Sequence, residues 1–556
     1  MKFTSAVVAA IIMANAGIAN AAEFVDSPPL TDFISTGVKD CRMDGTVKVP
    51  FITWGADAVT IFANGNSLNT LPTSINGMEG ISVELERVDV FSDQVKNYLE
   101  CESPFLRGTQ GQLNLAADLT QADPRTEMIA INQLSWSNGG DALVVNSNIR
   151  EPADLRGKTI AVMAYGPHVG YLARILADAG IGLDEVTIKW TRDLTASDSS
   201  PYEAMLSGDV DAAFVIIPDA LSLTSGGNIG DGSEGSVQGA SILLSTKTAS
   251  RVISDVYAVR RDFYEANREW VHAFVRSWLA AEESMRESVQ ADMVQWDILA
   301  DLLLDDASAV ADAQGLWADA ESSGFRANVN WADINSRRGF TRVNNEIQQS
   351  FVELGLMTGT YNIPVADWDY ATFADYVSDT GGVELSRFDA NAVNRAITKG
   401  VATGTISDNT LYEFQINFEP NNDEFPIELY QDAFEEVIRR ASIYSGAVIT
   451  IEGHSDPLNY LREERAGKTP VELRRIRQSA LNLSASRAQS VRNNILELAE
   501  RSGEPMDASQ FAIVPMGISA PLFNPPKTEQ EWKGNMRVVF RIVQLEAEAS
   551  VFTPLN

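Results

Sequence analysis

The chain is predicted to be an α/β protein followed by a small α+β domain of βαβαβ type. Three features of the sequence point there. Between about residues 150 and 260, strand-like runs alternate with helical stripes: "KTIAVMA", "YGPHVGYLARILADAG", "DEVTIKWT", "SPYEAMLSG" and "VDAAFVIIPDA". Strand, crossover helix and strand in series predict a parallel sheet with covered faces. From about 261 to 350 the pattern turns helical, with Val271, Phe274, Val275, Trp278 and Leu279 on one stripe. From about residue 408 the chain restarts with "LYEFQINFEP", "LYQDAFEEVIRRAS", "GAVITIEG", "LSASRAQSVRNNILELAERSG" and "NMRVVFRIVQLE". That order predicts helices on one side of a small sheet.

At 556 residues the chain is too long for one core. Its front, about 45–140, mixes β-rich runs with Gly/Asn turns: "VKVPFITW", "AVTIFANGN", "ISVELERVDV" and "EMIAINQLSW". Gly180 and Gly208 are placed to close the two helices of the alternating region. A Gly/Asp/Thr-rich passage marks a linker at 396–407. Beyond it, Phe414, Ile416 and Phe418 share one strand face, and Phe434, Val437, Ile438 and Ala441 form a helix stripe. Val491, Ile495 and Leu498 form another, with Ser484 expected as its N-cap.

Asp+Glu 76 against Lys+Arg 43 gives a net charge of −33, a field that disfavours nucleic acid and anionic lipid as partners. The first residues, "MKFTSAVVAAIIMANAGIANAAEF", carry Lys2, an apolar stretch from Ala6 to Ile12, and Ala19-Asn20-Ala21. These are the parts of a cleaved signal peptide over 1–21. No later run reaches the roughly 18 apolar residues that a spanning helix needs, so no membrane span is expected in the mature protein. In an oxidising compartment Cys41 and Cys101 are expected to form one disulfide, with two free buried thiols as the alternative.

The runs "EPADLRGKTIAVMAYGPHVGYLARILADAGIGLDEVTIKW", "MLSGDVDAAFVIIPDA" and "SDVYAVRRDFYEANREWVHAFVRSWLAA" resemble, in order, the periplasmic solute-binding proteins of ABC transporters, in their nitrate/sulfonate/taurine-like branch. The resemblance implies a two-lobed periplasmic-binding-protein fold over 22–395, with lobe 1 at about 45–140 and 261–395 and lobe 2 at about 142–260. It implies a small-molecule solute between the lobes, an inner-membrane ABC permease as partner, and the periplasm as location. Ligands in such folds lie at the carboxyl ends of strands and face helix N-termini. The strand ends "FITWGAD", "QLSWSNGGD", "MAYGPH" and "VIIPDA" therefore offer Trp54, Asp57, Trp136, Asp141, Tyr165, His168 and Asp219 as lining residues. Each has a structural alternative: tryptophan packing, a capping aspartate, a loop histidine. As a set they are aromatic and acidic, which suits an amine or cation rather than the family's anions. His272, inside an apolar helical stretch, reads as structural. No nucleophile–base order, metal-ligand cluster or cofactor motif stands out, so catalysis, metals and cofactors are not expected.

"LYEFQINFEPNNDEF", "ITIEGHSD", "LSASRAQSVRNNILE" and "NMRVVFRI" are similar, in order, to the OmpA-like peptidoglycan-binding domain. Its members show a strand ending G-H-T-D, a helix beginning L-S-x-x-R-A-x-x-V and a strand beginning N-R-R-V. The resemblance covers 408–545 and leaves a tail at 546–556. It implies that Asp456 and Arg487 bind the diaminopimelate of a stem peptide, bordered by Asn535 and Arg537. An aspartate accepts from the ammonium and a planar guanidinium meets the carboxylate. Met536 stands where the family has an arginine, and His454 reads as structural, bonded to backbone. Asp456 and Arg487 stand about twice as far apart as is usual, because of an Arg-rich insertion at 457–482. Thr469 and Pro470 predict an added helix there, which reads as a solvated face, a lid, or a contact with wall carboxylates. The whole reads as an exported solute-binding protein anchored non-covalently to peptidoglycan. The alternative is a structural or sensory cell-envelope protein whose two-lobed part no longer feeds a transporter.

Overall fold

The computed structural model describes residues 22–41, 45–377, 390–403, 410–417, 427–502 and 506–543. The expected signal segment 1–21, the tail 546–556, residues 404–407 of the expected linker, and Phe418 lie outside them. The front part contains β1 (Val47–Phe51), β2 (Val83–Arg87), β3 (Phe105–Thr109), β4 (Met128–Ser137), β5 (Asp141–Val145), β6 (Thr159–Met163), β7 (Thr187–Thr191), β8 (Ala212–Ile216), β9 (Ser241–Ser245), β10 (Ser254–Arg260) and β11 (Ala320–Ser322). The strands fall into two lobes. In lobe 1, the parallel pair β1–β2 lies beside a sheet ordered β11–β4–β10–β3. Lobe 2 holds a sheet ordered β7–β6–β8–β5–β9.

The helix Arg268–Gln290 buries the expected stripe, Val271, Phe274, Val275, Trp278 and Leu279, in the lobe 1 core. His272 stacks on Phe373 with centroids 4.6 Å apart, and its Nε2 lies 3.2 Å from Thr372 Oγ1. In lobe 2 the helix His168–Ala179 packs Tyr171, Leu172, Ile175 and Leu176 against one sheet face. The short helices Pro201–Leu206 and Ile217–Leu223 cover the other face.

Three front-half expectations change. "AVTIFANGN", whose composition is β-rich, contributes to the helix Asp57–Ala63. Only Phe62 of that helix is not fully buried, so it shows no polar stripe, and its β-branched residues mimic a strand. The sheets are mixed rather than parallel, because β10 runs antiparallel to β3 and β4, and β5 antiparallel to β8 and β9. The chain crosses between lobes at 138–140 and again at 246–253. After each crossing it enters the new sheet from the cleft side, against the direction of the βα units. β10 therefore belongs to lobe 1, and the expected lobe 2 boundary at 260 retreats to about 253.

An amino-terminal arm spans both lobes. Ala22 N donates to Asp209 Oδ2 at 2.9 Å and Val25 N to Trp190 O at 2.9 Å, both on lobe 2. Leu30 and Ile34 are then buried against lobe 1 residues such as Leu99 and Leu106, and Lys39 N donates to Leu99 O. The arm ends at the Cys41–Cys101 disulfide, with Cα atoms 5.2 Å apart.

The C-terminal domain adds β12 (Thr410–Asn417), β13 (Val448–His454), β14 (Phe511–Gly517) and β15 (Arg537–Val543), ordered β12–β15–β13–β14. Helices Ile427–Ile443 and Pro470–Arg501 cover one face. The other face is not bare as expected. Most of the supposed linker is a helix, Ala390–Thr403, whose Val393 and Ile397 pack on Val448, Ala512 and Val514. Ser484 is not an N-cap either. It is buried in the middle of Pro470–Arg501, which Thr469 and Glu472 begin with reciprocal side chain–backbone bonds.

This domain is docked firmly on the front part, sharing an apolar core with lobe 2. Asp178 is buried at the junction. It receives Arg174 Nε at 3.0 Å, Arg439 Nη2 at 3.1 Å and Tyr444 Oη at 2.8 Å. The turn after Ile443 sits on the second interlobe crossing. Gly446 N donates to Thr248 O at 3.1 Å, and the Ser445 and Ser250 hydroxyls lie 2.6 Å apart. A Cβ at Gly446 would overlap the Lys247 carbonyl, so only glycine permits this approach.

Candidate solute cleft and wall-binding corner

The lobes meet around a connected polar network. Trp54, in the turn after β1, donates Nε1 to Ser135 Oγ at 3.1 Å, and Ser135 donates to Asp255 Oδ2 at 2.9 Å. Asp255 Oδ1 accepts from Arg107 Nη1 at 2.6 Å. Arg107 also grips Asp57 through Nη2 at 2.6 Å and Nε at 3.0 Å. Burial drives both carboxyls upward in pKa, and the shared guanidinium opposes it. Asp57 is fully buried, so it supports the cleft from behind and does not line it as expected. Trp54 faces the first interlobe crossing: a Cβ at Gly140 would lie 2.5 Å from its ring.

Asp141 opens β5 on the cleft side. Its Oδ1 lies 2.6 Å from His168 Nε2 and its Oδ2 accepts from Ser137 Oγ at 2.6 Å. His168 begins its helix and is fully buried. Thr246 Oγ1 accepts from Gly139 N and Asp141 N, both at 3.1 Å, and so ties the two crossings together. Asp319 of lobe 1 faces this group. Burial, followed by the charge of Asp141, pushes its carboxyl up to about 7, with Lys247 opposing. Asp219, in the first turn of Ile217–Leu223, is also raised by burial.

Besides Asp57, two expected lining residues sit elsewhere. Trp136 alternates with Ser135 and Ser137 along β4, so its side chain leaves the opposite sheet face. There the guanidinium carbons of Arg251 and Arg338 lie 5.6 and 5.8 Å from its ring centroid. Tyr165 lies under the arm, donating Oη to Pro28 O at 2.6 Å, with its ring 5.5 Å from Phe33. Its carbonyl accepts from Gln112 Nε2 of lobe 1 at 3.1 Å. Arg107, Asp255, Thr246 and Asp319 escaped the sequence reading. Only Arg107 left a signal, a charge inside the apolar strand "FLRGT".

In the C-terminal domain, β13 ends at His454 and the corner follows. Asp456 Oδ1 accepts from Leu458 N at 2.9 Å and Oδ2 from Asn535 Nδ2 at 2.9 Å. Arg487 is 1% exposed and directs Nη1 to His454 O at 3.4 Å, which brings its helix to the end of the same strand. Arg537 opens β15 and donates Nη2 to Ala520 O at 3.2 Å. The close packing depends on Gly453, where a Cβ would overlap the Ser484 carbonyl. The imidazole of His454 does not bond to backbone as expected. It is buried, its Nε2 is 3.7 Å from Glu452 Oε2, and burial lowers its pKa. Asp456 keeps lone pairs beyond these two bonds, and Arg487 and Arg537 are buried at the ends of the neighbouring strands β13 and β15. A carboxylate and guanidinium groups are the pair that a group carrying both an ammonium and a carboxylate requires.

The fold of the front part is a two-lobed α/β one. Residues 77–288, from within the first segment of lobe 1 through lobe 2 and back into lobe 1 as far as the helix Arg268–Gln290, match the family model described as NMT1/THI5 like. A stretch of 176 residues is 30% identical to the taurine-binding periplasmic protein of Escherichia coli (strain K12), covering 32% of this chain and 49% of that protein. The chain thus spans about half the length of the curated relative it matches. The alkanesulfonate-binding protein SsuA of Xanthomonas axonopodis pv. citri is similar at 14% identity and a TM-score of 0.40, over 57% of this chain and 95% of that one. The periplasmic aliphatic sulphonate binding protein SsuA of Escherichia coli is similar at 13% identity and a TM-score of 0.40, over 56% and 94%.

Proposed function

We propose that the protein is an exported solute-binding protein of the periplasm. It captures a small solute bearing an ammonium group between its lobes, and its C-terminal OmpA-like domain holds it non-covalently on peptidoglycan. The observation that carries the first half is the convergence of Trp54, Asp141, His168 and Asp319 where the two lobes meet. Aromatic and carboxylate groups together favour a cation through stacking and ion pairing. Taurine, the solute in one relative's name, carries an ammonium beside its sulfonate, and delivery to an inner-membrane ABC permease fits that likeness. The second half is supported by the corner of Asp456, Asn535, Arg487 and Arg537 and by the order of the three motifs around it.

Native mass spectrometry of gently purified protein, followed by thermal-shift screening of amines against simple sulfonates, tests the cleft. Stabilisation by anions alone would refute the ammonium reading. Retention on purified sacculi tests the anchor: Asp456→Ala and Arg487→Ala should each release the protein, and a double variant held like wild type would sink it. The second reading, a structural or sensory envelope protein, is favoured by how closely the lobes already meet. A Cβ at Gly111 of lobe 1 would lie 3.4 Å from Gly170 Cα of lobe 2. Failure of any small solute to stabilise the protein would select that reading.

A further inference from the structure

The insertion 457–482 folds as a hairpin that rises from the rim of the wall-binding corner. Its first helix, Leu458–Arg465, starts where Asp456 Oδ1 holds Leu458 N. Its second arm is the overhanging amino-terminal half of Pro470–Arg501, and the two helices pack together. Arg477 joins them, donating Nη2 to Tyr460 Oη at 2.9 Å with its guanidinium 5.0 Å from the ring centroid. Ser455 Oγ donates to Ala480 O at 3.1 Å, which fixes the base of the hairpin to the end of β13. The hairpin is therefore a built projection and not a loose loop.

Its charge contradicts the rest of the chain. The segment holds six basic residues against three acidic ones, in a protein of net charge −33. The acids are largely engaged at the turn, where Glu472 caps the helix start and Lys468 approaches Glu463 and Glu472. Arg462, Arg465, Arg474 and Arg475 are exposed. Among the described residues none of these four guanidinium groups has a hydrogen-bond or ion-pair partner. Elsewhere in this acid-rich chain most arginines are matched, as Arg125 is by Asp40 and Asp123. Holding four unmatched cations together on two packed helices has an electrostatic cost that an anionic partner would offset.

Beside Asn535 at the same corner, Leu522 and Phe523 are 53% and 42% exposed, with Phe523 N held by Asn535 Oδ1 at 2.9 Å. The corner thus touches both a basic hairpin, through Asp456 and Leu458, and an exposed apolar pair, through Asn535 and Phe523.

We infer that the hairpin is a second contact surface for the wall polymer, in which Arg462, Arg465, Arg474 and Arg475 meet free carboxylates of stem peptides adjacent to the one clamped at Asp456. This rests on the peptidoglycan reading of that corner. Carboxylates of the wall are favoured over lipid phosphates because the hairpin is continuous with the corner, its first helix starting at the bond from Leu458 N to Asp456 Oδ1.

The test is co-sedimentation of the full chain with purified sacculi at low and raised salt. Two variants are compared, with all four arginines changed to alanine or all four to lysine. Thermal melting should match wild type for both, since the side chains are exposed. The alanine variant should bind roughly tenfold more weakly at low salt, the scale of several exposed ion pairs acting together. The deficit should shrink as salt rises and the screening length falls from about 8 Å to about 3 Å. The lysine variant should restore most of the binding, and sacculi with amidated carboxyls should no longer distinguish wild type from the alanine variant. Equal binding of the alanine variant and wild type would overturn the inference and leave the Asp456 corner standing. A defect seen only on phosphatidylglycerol-rich vesicles would overturn it in favour of a lipid surface. Wild type that fails to sediment with sacculi would overturn both readings.

Discussion

Asp178→Ala removes the carboxylate that Arg174, Arg439 and Tyr444 share at the junction of lobe 2 and the C-terminal domain. The carboxylate side chain is 0% exposed, whereas those of Arg174 and Arg439 are 18% and 26% exposed. Removing one partner of a buried pair costs about 3–5 kcal/mol. Here the arginines keep some contact with water, and Tyr444 Oη keeps Tyr412 Oη at 2.9 Å, so the lower end, about 3 kcal/mol, applies. For a cooperative unit of this size that is a fall of about 6–12 °C in melting temperature. Differential scanning calorimetry of the full chain should show wild-type lobe 2 melting together with the C-terminal domain, as their common apolar core requires. In the variant the C-terminal transition should separate and move down, and Asp178→Asn, which keeps an acceptor of the same shape, should fall between. A variant melting within about 1 °C of wild type, in one transition, would refute the argument that this carboxylate fastens the two domains.

Gly140→Ala should push the Trp54 ring off its seat and hold the lobes apart. Overpacking on the scale of about 1–3 kcal/mol should weaken solute binding roughly five- to a hundredfold by calorimetric titration. Asp319 holds its proton to about pH 7 when folded, well above the unfolded carboxyl near 4. Its contribution to stability is therefore greatest at low pH and declines as pH rises from about 4 through about 7, and Asp319→Asn should flatten that decline in melting temperature. By the same sign, a cationic solute should bind more tightly above pH 7 than below, and should release a proton on binding. Reducing Cys41–Cys101, which closes a separation of 60 residues, should cost about 4 kcal/mol in chemical denaturation.

The elements that the sequence made legible are those with one polar and one apolar side. The stripe Val271–Leu279 and the helix His168–Ala179 are of that kind, the strand Thr159–Met163 shows instead as a short apolar run buried on both faces, and the three C-terminal motifs led to the Asp456 corner. What escaped was fixed by tertiary partners. The helix Asp57–Ala63 is buried nearly all round and shows no period. The helix Ala390–Thr403 hides in linker-like composition, although its Val393 and Ile397 pack on the sheet. Ser484 resembles a cap, but the inserted segment Pro470–Asn482 extends its helix past it, and the serine turns to bind Gly517 N. In the cleft, Asp141 and His168 stood out as polar residues at element ends. Asp319 and Thr246 did not, because only the two chain crossings bring them alongside.

The amino-terminal arm limits what the lobes can do. Val25 is fastened to lobe 2 and Leu30 to lobe 1, and only the four residues Asp26–Pro29 join them. Fully extended, that stretch spans at most about 18 Å. Two of the four are prolines, which leave little slack, and the Cys41–Cys101 bond keeps the far end from paying out more chain. Opening of the lobes is thereby bounded along the Tyr165 edge by a tether of fixed length. Any wider separation of the lobes is therefore confined to parts of their boundary that the arm does not cross.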